Sequence, residues 1–176
     1  GASTGPMPLI PAAASTTAGG REYIHTAINY IKKNHSGRLA YGDTDSCMVR
    51  FENLNIQETF DLAKRISKEV TSLFPPPVEL AFECLYGKFL LLTKKRYVAY
   101  KFNTKGETIE VIKKGVVLKR RDNTKFLKKT YGDMIDSIME KKSEYEVFNQ
   151  LYDNINSLFT RQVEAKDLII YKGIKS

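Results

Sequence analysis

Two carboxylates, Asp43 and Asp45, stand two residues apart in Tyr41-Gly42-Asp43-Thr44-Asp45-Ser46, with Leu39-Ala40 before the hexapeptide and Cys47-Met48-Val49 after it. The pattern predicts a strand, a tight turn and a strand, with the acids at the tip. Side chains two apart on a strand share a face, so two acids at such a tip can converge. Close carboxylates repel each other, and a hard divalent cation such as Mg²⁺ relieves the repulsion. Gly and Asp are also ordinary turn residues, so a bare Asp-Thr-Asp reads as an acidic hairpin turn. The whole hexapeptide with its apolar flanks is more specific.

The elements around it can be read from periodicity. A helix is expected from Pro11, which suits a first-turn position. Ala12-Ala13-Ala14 adds propensity, Tyr23, Ala27 and Tyr30-Ile31 continue a stripe, and Asn34 to Gly37 ends it. Gly19-Gly20 costs roughly 1 kcal/mol per Gly relative to Ala, but leaves a small face on which DNA or a neighbouring element can pack. After the hairpin, Asn55 with Glu58 predicts a capping box opening a helix to about Leu73, with Phe60 or Leu62, Ala63, Ile66, Val70 and Leu73 inward. Pro75-Pro76-Pro77 stops it. Strands are expected over Val78–Phe82, from Phe89 into Arg96–Phe102, over Thr108–Ile112 and over Val116–Leu118, with a turn at Thr104-Lys105-Gly106. From Asn123 the pattern is helical, with Phe126, Leu127, Met134, Ile135, Ile138 and Met139 in step. Ser143 with Glu146 is a second capping box, ahead of a stripe from Phe148 to Phe159. Asp167–Tyr171 reads as a last strand. The fold class is α+β: an antiparallel sheet with packed helices over residues 1–118, followed by a mostly helical part over 119–176.

The 176 residues suffice for one domain or two small ones and carry a net charge of +8. The excess is local. Residues 75–132 hold 14 basic and 5 acidic side chains, a net +9, against +1 before and −2 after. Such a concentrated basic surface suits phosphate backbones, although an isolated lysine run is often only a solvated face. No apolar run approaches the roughly 20 residues of a membrane span, so no membrane partner is expected. Two cysteines, Cys47 and Cys84, are too few for a disulfide scaffold and read as buried thiols. Gly1 to Gly5 lacks the basic region and apolar core of a secretion signal, and lacks an initiator Met. A partial, intracellular, soluble chain is expected.

The hexapeptide resembles the palm metal motif of family B DNA polymerases, and three further segments resemble that family in the right order. Gly1, the run Ala14-Ser15-Thr16-Thr17-Ala18 and Gly20-Arg21 resemble the end of the nucleotide-contacting fingers motif and the helix after it. Thr93-Lys94-Lys95-Arg96-Tyr97 resembles the Lys-Lys-Arg-Tyr motif that holds primer-template DNA. Lys114-Gly115-Val116-Val117-Leu118-Lys119-Arg120-Arg121-Asp122-Asn123 resembles the thumb entry. The run Ala12 to Ala18 is similar to large DNA virus or eukaryotic replicative members. Residues 1–118 are thereby identified as the C-terminal palm and 119–176 as the start of the thumb.

The resemblance implies template-dependent DNA synthesis by two-metal phosphoryl transfer, with two Mg²⁺ ions in the intact enzyme and Mn²⁺ as a substitute. It makes Asp45 the main metal ligand and Asp43 the lesser one, the latter supporting the site or meeting a basic neighbour such as Lys95. Tyr41, Gly42, Thr44 and Ser46 shape the hairpin. Lys94, Lys95, Arg96, Tyr97, Lys114, Arg120 and Arg121 contact DNA, and Gly1 is a remnant of the nucleotide-contacting motif. Implied partners are primer-template DNA, deoxynucleoside triphosphates and the remaining polymerase domains: fingers, the other palm half and exonuclease. Implied locations are the host nucleus or cytoplasm for a viral enzyme, and the nucleus for a cellular eukaryotic one. The family's other metal-binding Asp, in an Asp-x-x-Ser-Leu-Tyr-Pro type motif, has no counterpart here, nor has the nucleotide-binding Lys, so the chain alone is expected to be inactive. Two other classes compete: a nucleic-acid-binding module without chemistry, and a two-metal nuclease or phosphotransferase. The latter usually carries more acids, or a His, beside such a pair. His25 and His35 read as surface or packing residues.

Overall fold

The computed structural model describes residues 9–117 and 123–171. The elements run α1 (Ile10–His35), β1 (Arg38–Gly42), β2 (Cys47–Arg50), α2 (Ile56–Thr71), β3 (Leu85–Thr93), β4 (Arg96–Phe102), β5 (Thr108–Lys114), α3 (Lys125–Met139), α4 (Glu144–Phe159) and a 3₁₀ turn (Ala165–Leu168). The described residues thus combine α-helices with a β1–β2 hairpin and a β3–β4–β5 sheet, the expected α+β class. Two compact units result: Gly1–Leu85 with Thr104–Gly106, and Tyr86–Asn103 with Glu107–Ser176.

The first unit forms around two helices. Ala27 and Ile31 of α1 are buried with Ile66 and Val70 of α2, and Tyr30, Cys47, Val49, Phe51, Leu62, Phe74 and Leu80 close around them. The three- and four-residue steps put each helix's apolar stripe on that core. Asn55 caps α2 as expected: its side chain accepts from the Glu58 N–H, and the Glu58 carboxylate accepts from the Asn55 N–H. At the end of α1, Glu69 of α2 accepts from Tyr30 at 3.3 Å and pairs with His35 Nε2 at 2.6 Å. Burial and the Glu69 carboxylate raise the Tyr30 phenol above its ordinary value. His35 is therefore an interhelical tie, whereas His25 stays exposed.

Two expectations fail in this unit. Leu73 is half exposed, because α2 ends at Thr71 and the chain turns away before reaching the core. Val78–Phe82 is not a strand. Its main chain bonds to α2 side chains instead: the Leu80 N–H donates to Thr71 Oγ1 at 3.0 Å, and the Leu80 carbonyl accepts from the Ser67 hydroxyl. An extended apolar run whose polar groups are satisfied that way needs no neighbouring strand.

In the second unit β4 is the middle strand, and Tyr97, Val98 and Ala99 are all buried. Val98 packs with Val116 and with Ile135 and Met139 of α3. Lys88 lies over the Tyr100 ring at 5.4 Å, and burial, with Asp136 and Glu140 assisting, raises that phenol. Thr124 caps α3 by accepting from the Leu127 N–H. The Ser143–Glu146 capping box opens α4, and Ser137 of α3 donates to Gln150 of α4 at 2.9 Å. β5 ends at Lys114, so Val116 and Val117 are not strand; Leu118 lies outside the described residues. Residues 167–171 form the end of the 3₁₀ turn and an unladdered extension, not a strand.

Two stability outcomes follow from the caps. Asn55→Ala is expected to cost about 1 kcal/mol in urea denaturation. Hydrogen bonds from the Ser143 hydroxyl and then its N–H hold the Glu146 carboxyl below its ordinary value of 4.5, with Lys142 assisting against a small opposing effect of burial. A carboxyl lowered in the folded state stabilises above its unfolded value, and that contribution disappears as pH falls through the folded value. The urea midpoint of Glu146→Gln is therefore expected below that of the native chain at pH 7, with the gap closing in acid below 4.5.

Candidate functional site

The acidic loop is held from both ends. β1 and β2 pair antiparallel with Leu39 opposite Val49, Tyr41 opposite Met48 and Gly42 opposite Cys47, and the register shifts between Leu39 and Tyr41. Strand pairing stops at Gly42 and resumes at Cys47, leaving Asp43–Ser46 as the tip. The Asp43 N–H donates to the Ser46 carbonyl at 2.9 Å and closes the loop. Behind it, a Cβ placed on Gly20 of α1 would lie 3.7 Å from the Thr44 carbonyl oxygen. Gly20 on the small face of α1 thus lies against the loop, with room for a Cβ at ordinary contact distance.

The two carboxylates live in different environments. Asp43 is half-buried; its Oδ1 accepts from the Thr44 N–H at 3.0 Å and its Oδ2 faces the Tyr41 hydroxyl at 3.5 Å. Asp45 is exposed, and no hydrogen bond or ion pair engages it among the described residues. Asp43 therefore builds the loop while Asp45 keeps both oxygens open. Hard oxygen donors of this kind fit Mg²⁺, which prefers six oxygens and retains several waters. Among the described residues no three His, Cys, Asp or Glu side chains gather into a metal cluster, so this loop offers two protein carboxylates and no more. Burial raises the Cys47 thiol, and its side chain packs on the core.

The basic segment also forms a tip. β3 ends at Thr93 and β4 begins at Arg96, so Lys94-Lys95 is the whole reversal. Register pairs Tyr97 with Lys114, which brings the end of β5 beside the same turn. Lys94, Lys95, Arg96 and Lys114 are all exposed at this one end of the sheet. Tyr97 differs from them. It is only 6 % exposed, with its ring 5.3 Å from that of Phe89, so it anchors the strand. Gly1, Lys119, Arg120 and Arg121 lie outside the described residues. Sequence reasoning missed the left-handed backbone of Lys95 and the seat that Gly115 gives it; a Lys-Gly pair closing a strand was the available signal.

The first unit thus presents an acidic hairpin tip, and the second a basic one. The sequence model of DNA polymerase family B matches residues 1–176. The chain is 39 % identical over 184 residues to DNA polymerase 120R of Invertebrate iridescent virus 3, covering 98 % of this chain and 16 % of that protein. It is 33 % identical to DNA polymerase 037L of Invertebrate iridescent virus 6, covering 99 % of this chain and 16 % of the relative. It is also 29 % identical to the DNA polymerase delta catalytic subunit of Candida albicans, over 98 % of this chain and 17 % of that subunit. The chain belongs to DNA polymerase family B and spans about a sixth of the length of these relatives.

The asymmetry of the two acids predicts different stability costs. Asp43→Ala is expected to lose about 1 kcal/mol, because it removes the acceptor of the Thr44 N–H. Asp45→Ala is expected to change stability by less than about 0.5 kcal/mol, as an exposed residue without partners does. Urea denaturation of the two variants checks this, and equal losses would refute the division of labour.

Proposed function

We propose that this chain carries the C-terminal palm over residues 1–118 and the start of the thumb over 119–176 of a template-dependent DNA polymerase. That enzyme adds deoxynucleotides to a primer 3′ end. The carrying observation is Asp45, an unpartnered carboxylate at the tip of an antiparallel hairpin, in a chain that matches the family along its whole length.

In this reading Asp45 is the principal metal ligand and Asp43 the lesser one, since Asp43 already holds the loop. Mg²⁺ bound there, or Mn²⁺ in its place, supplies activation of the primer 3′ oxygen and neutralisation of the triphosphate in a two-metal phosphoryl transfer. Tyr41, Gly42, Thr44 and Ser46 keep the tip in shape. Asp45 and Asp43 would hold the ion, and ligands beyond these two carboxylates would have to complete its shell. Primer extension by the chain alone is therefore not expected.

Lys94, Lys95, Arg96 and Lys114 grip the product duplex through its phosphates, with Arg120 and Arg121 continuing the contact. A polymerase holds product of any sequence, so backbone contacts are the ones its grip requires. Tyr97 supports the grip from inside the sheet. The partners are primer-template DNA, deoxynucleoside triphosphates and the fingers, exonuclease and remaining palm. The enzyme works in the host nucleus or cytoplasm if viral, and in the nucleus if cellular.

The test uses the intact polymerase. Asp45→Ala is expected to abolish primer extension and leave duplex affinity unchanged; near-normal turnover would exclude Asp45 as the ligand. In the same enzyme, Lys94→Ala with Lys95→Ala is expected to flatten log K against log [salt] by about 2, since each phosphate contact contributes about 0.9. An unchanged slope would mean that these lysines are merely solvated.

A further inference from the structure

We propose that Gly115 and the left-handed turn at Lys95 form a positioning element that sets where Lys94 and Arg96 stand along a nucleic-acid backbone. The inference rests on reading the basic turn as a duplex contact. Two residues reverse the chain between β3 and β4, and the second, Lys95, has φ +64°. Side chains with a Cβ rarely enter that region, and turns that need it ordinarily place Gly or Asn there. A lysine in that conformation persists only where its surroundings over-determine it.

The surroundings are identifiable. Lys114 pairs with Tyr97 in the sheet, so the next residue, Gly115, runs past the start of β4. Gly115 itself has φ +62°. A Cβ placed on it would lie 2.3 Å from the Lys95 carbonyl oxygen, 3.3 Å from the Lys95 carbonyl carbon and 3.1 Å from Arg96 Cγ. Main chain therefore lies directly on main chain, and the obstacle is backbone that cannot swing away. On the other side the buried Tyr97 ring pins the strand. Lys94 and Arg96 flank this fixed carbonyl, exposed and without ion-pair partners among the described residues. The turn thus keeps a charge where glycine would be easier to accommodate, and holds its two neighbours at a set separation.

Fluorescence anisotropy of the full chain on a labelled primer-template duplex, across salt concentrations, tests this. Gly115→Ala is expected to lower the salt slope by about 1, the loss of roughly one phosphate contact, and to weaken binding about tenfold near 0.1 M salt. Gly106→Ala is the control. Gly106 also has φ +84°, in the β4–β5 turn, so the variant loses thermal stability but is expected to keep the slope. A second pair keeps the test decisive if Gly115→Ala does not fold. Lys95→Gly and Lys95→Val remove the same charge, but valine cannot adopt the left-handed turn. The Val variant is expected to lose more slope than the Gly variant, and equal slopes overturn the positioning role. Were Gly115→Ala to match the native slope while the Lys94→Ala, Lys95→Ala double variant flattened it, the positioning role would fail and the duplex grip stand. Were neither to alter the slope, both would fail.

Discussion

Each exposed tip depends on the backbone packed behind it, and at the basic turn that packing is possible only because Gly115 has no side chain. The acidic loop rests its Thr44 carbonyl on Gly20, and the basic turn rests its Lys95 carbonyl on Gly115. A short turn has few contacts of its own, and its charged side chains face water. Its geometry must therefore come from the element behind it. At Gly115 the constraint is severe, since a Cβ would meet a carbonyl oxygen at 2.3 Å; at Gly20, with 3.7 Å, it is a limit on size. Gly20 lies against the loop, whereas a Cβ on Gly19 would meet nothing within 4 Å.

The charges at the two tips follow from the same division between support and display. Asp43 is half-buried and bonded to its own loop, while Asp45 is exposed and unengaged. Tyr97 is buried in the sheet, while Lys94 and Arg96 on either side of the turn are exposed. In each motif one residue is wholly or partly buried and holds the backbone, while a neighbour is exposed. Spacing alone does not distinguish the two roles. The alternation rule that suggested converging acids applies to strands, and pairing has already ended at Gly42.

Much of the architecture was legible because its signals are local. Both capping boxes form, α1 ends at the Ser36-Gly37 signal, and the Ile66 and Val70 stripe meets the core. The failures share a cause that is not local. Val78–Phe82 looks like a strand, but its hydrogen bonds go to Ser67 and Thr71. Leu73 keeps helical step with Ile66 and Val70, yet the helix has already ended. The acidic hexapeptide and the Lys-Lys-Arg-Tyr turn were both visible as motifs. The seat beneath Lys95 was not, because the Lys-Gly pair marks a strand end without showing which backbone Gly115 approaches.

Helix α4 takes this limit furthest. Tyr145, Phe148, Tyr152 and Phe159 recur at helical steps and are 67–82 % exposed. Periodicity correctly reports that one face of α4 is apolar, but it carries no information on what that face meets. The Ser143–Glu146 box opens the helix, and Gln150 accepts from Ser137 of α3. The Ser137–Gln150 bond ties α4 to α3 beside the half-buried Val147 and Leu151, while its largest apolar groups stay exposed. The same holds at Asp45 and Lys94, where the side chains with most to offer a ligand are the exposed ones.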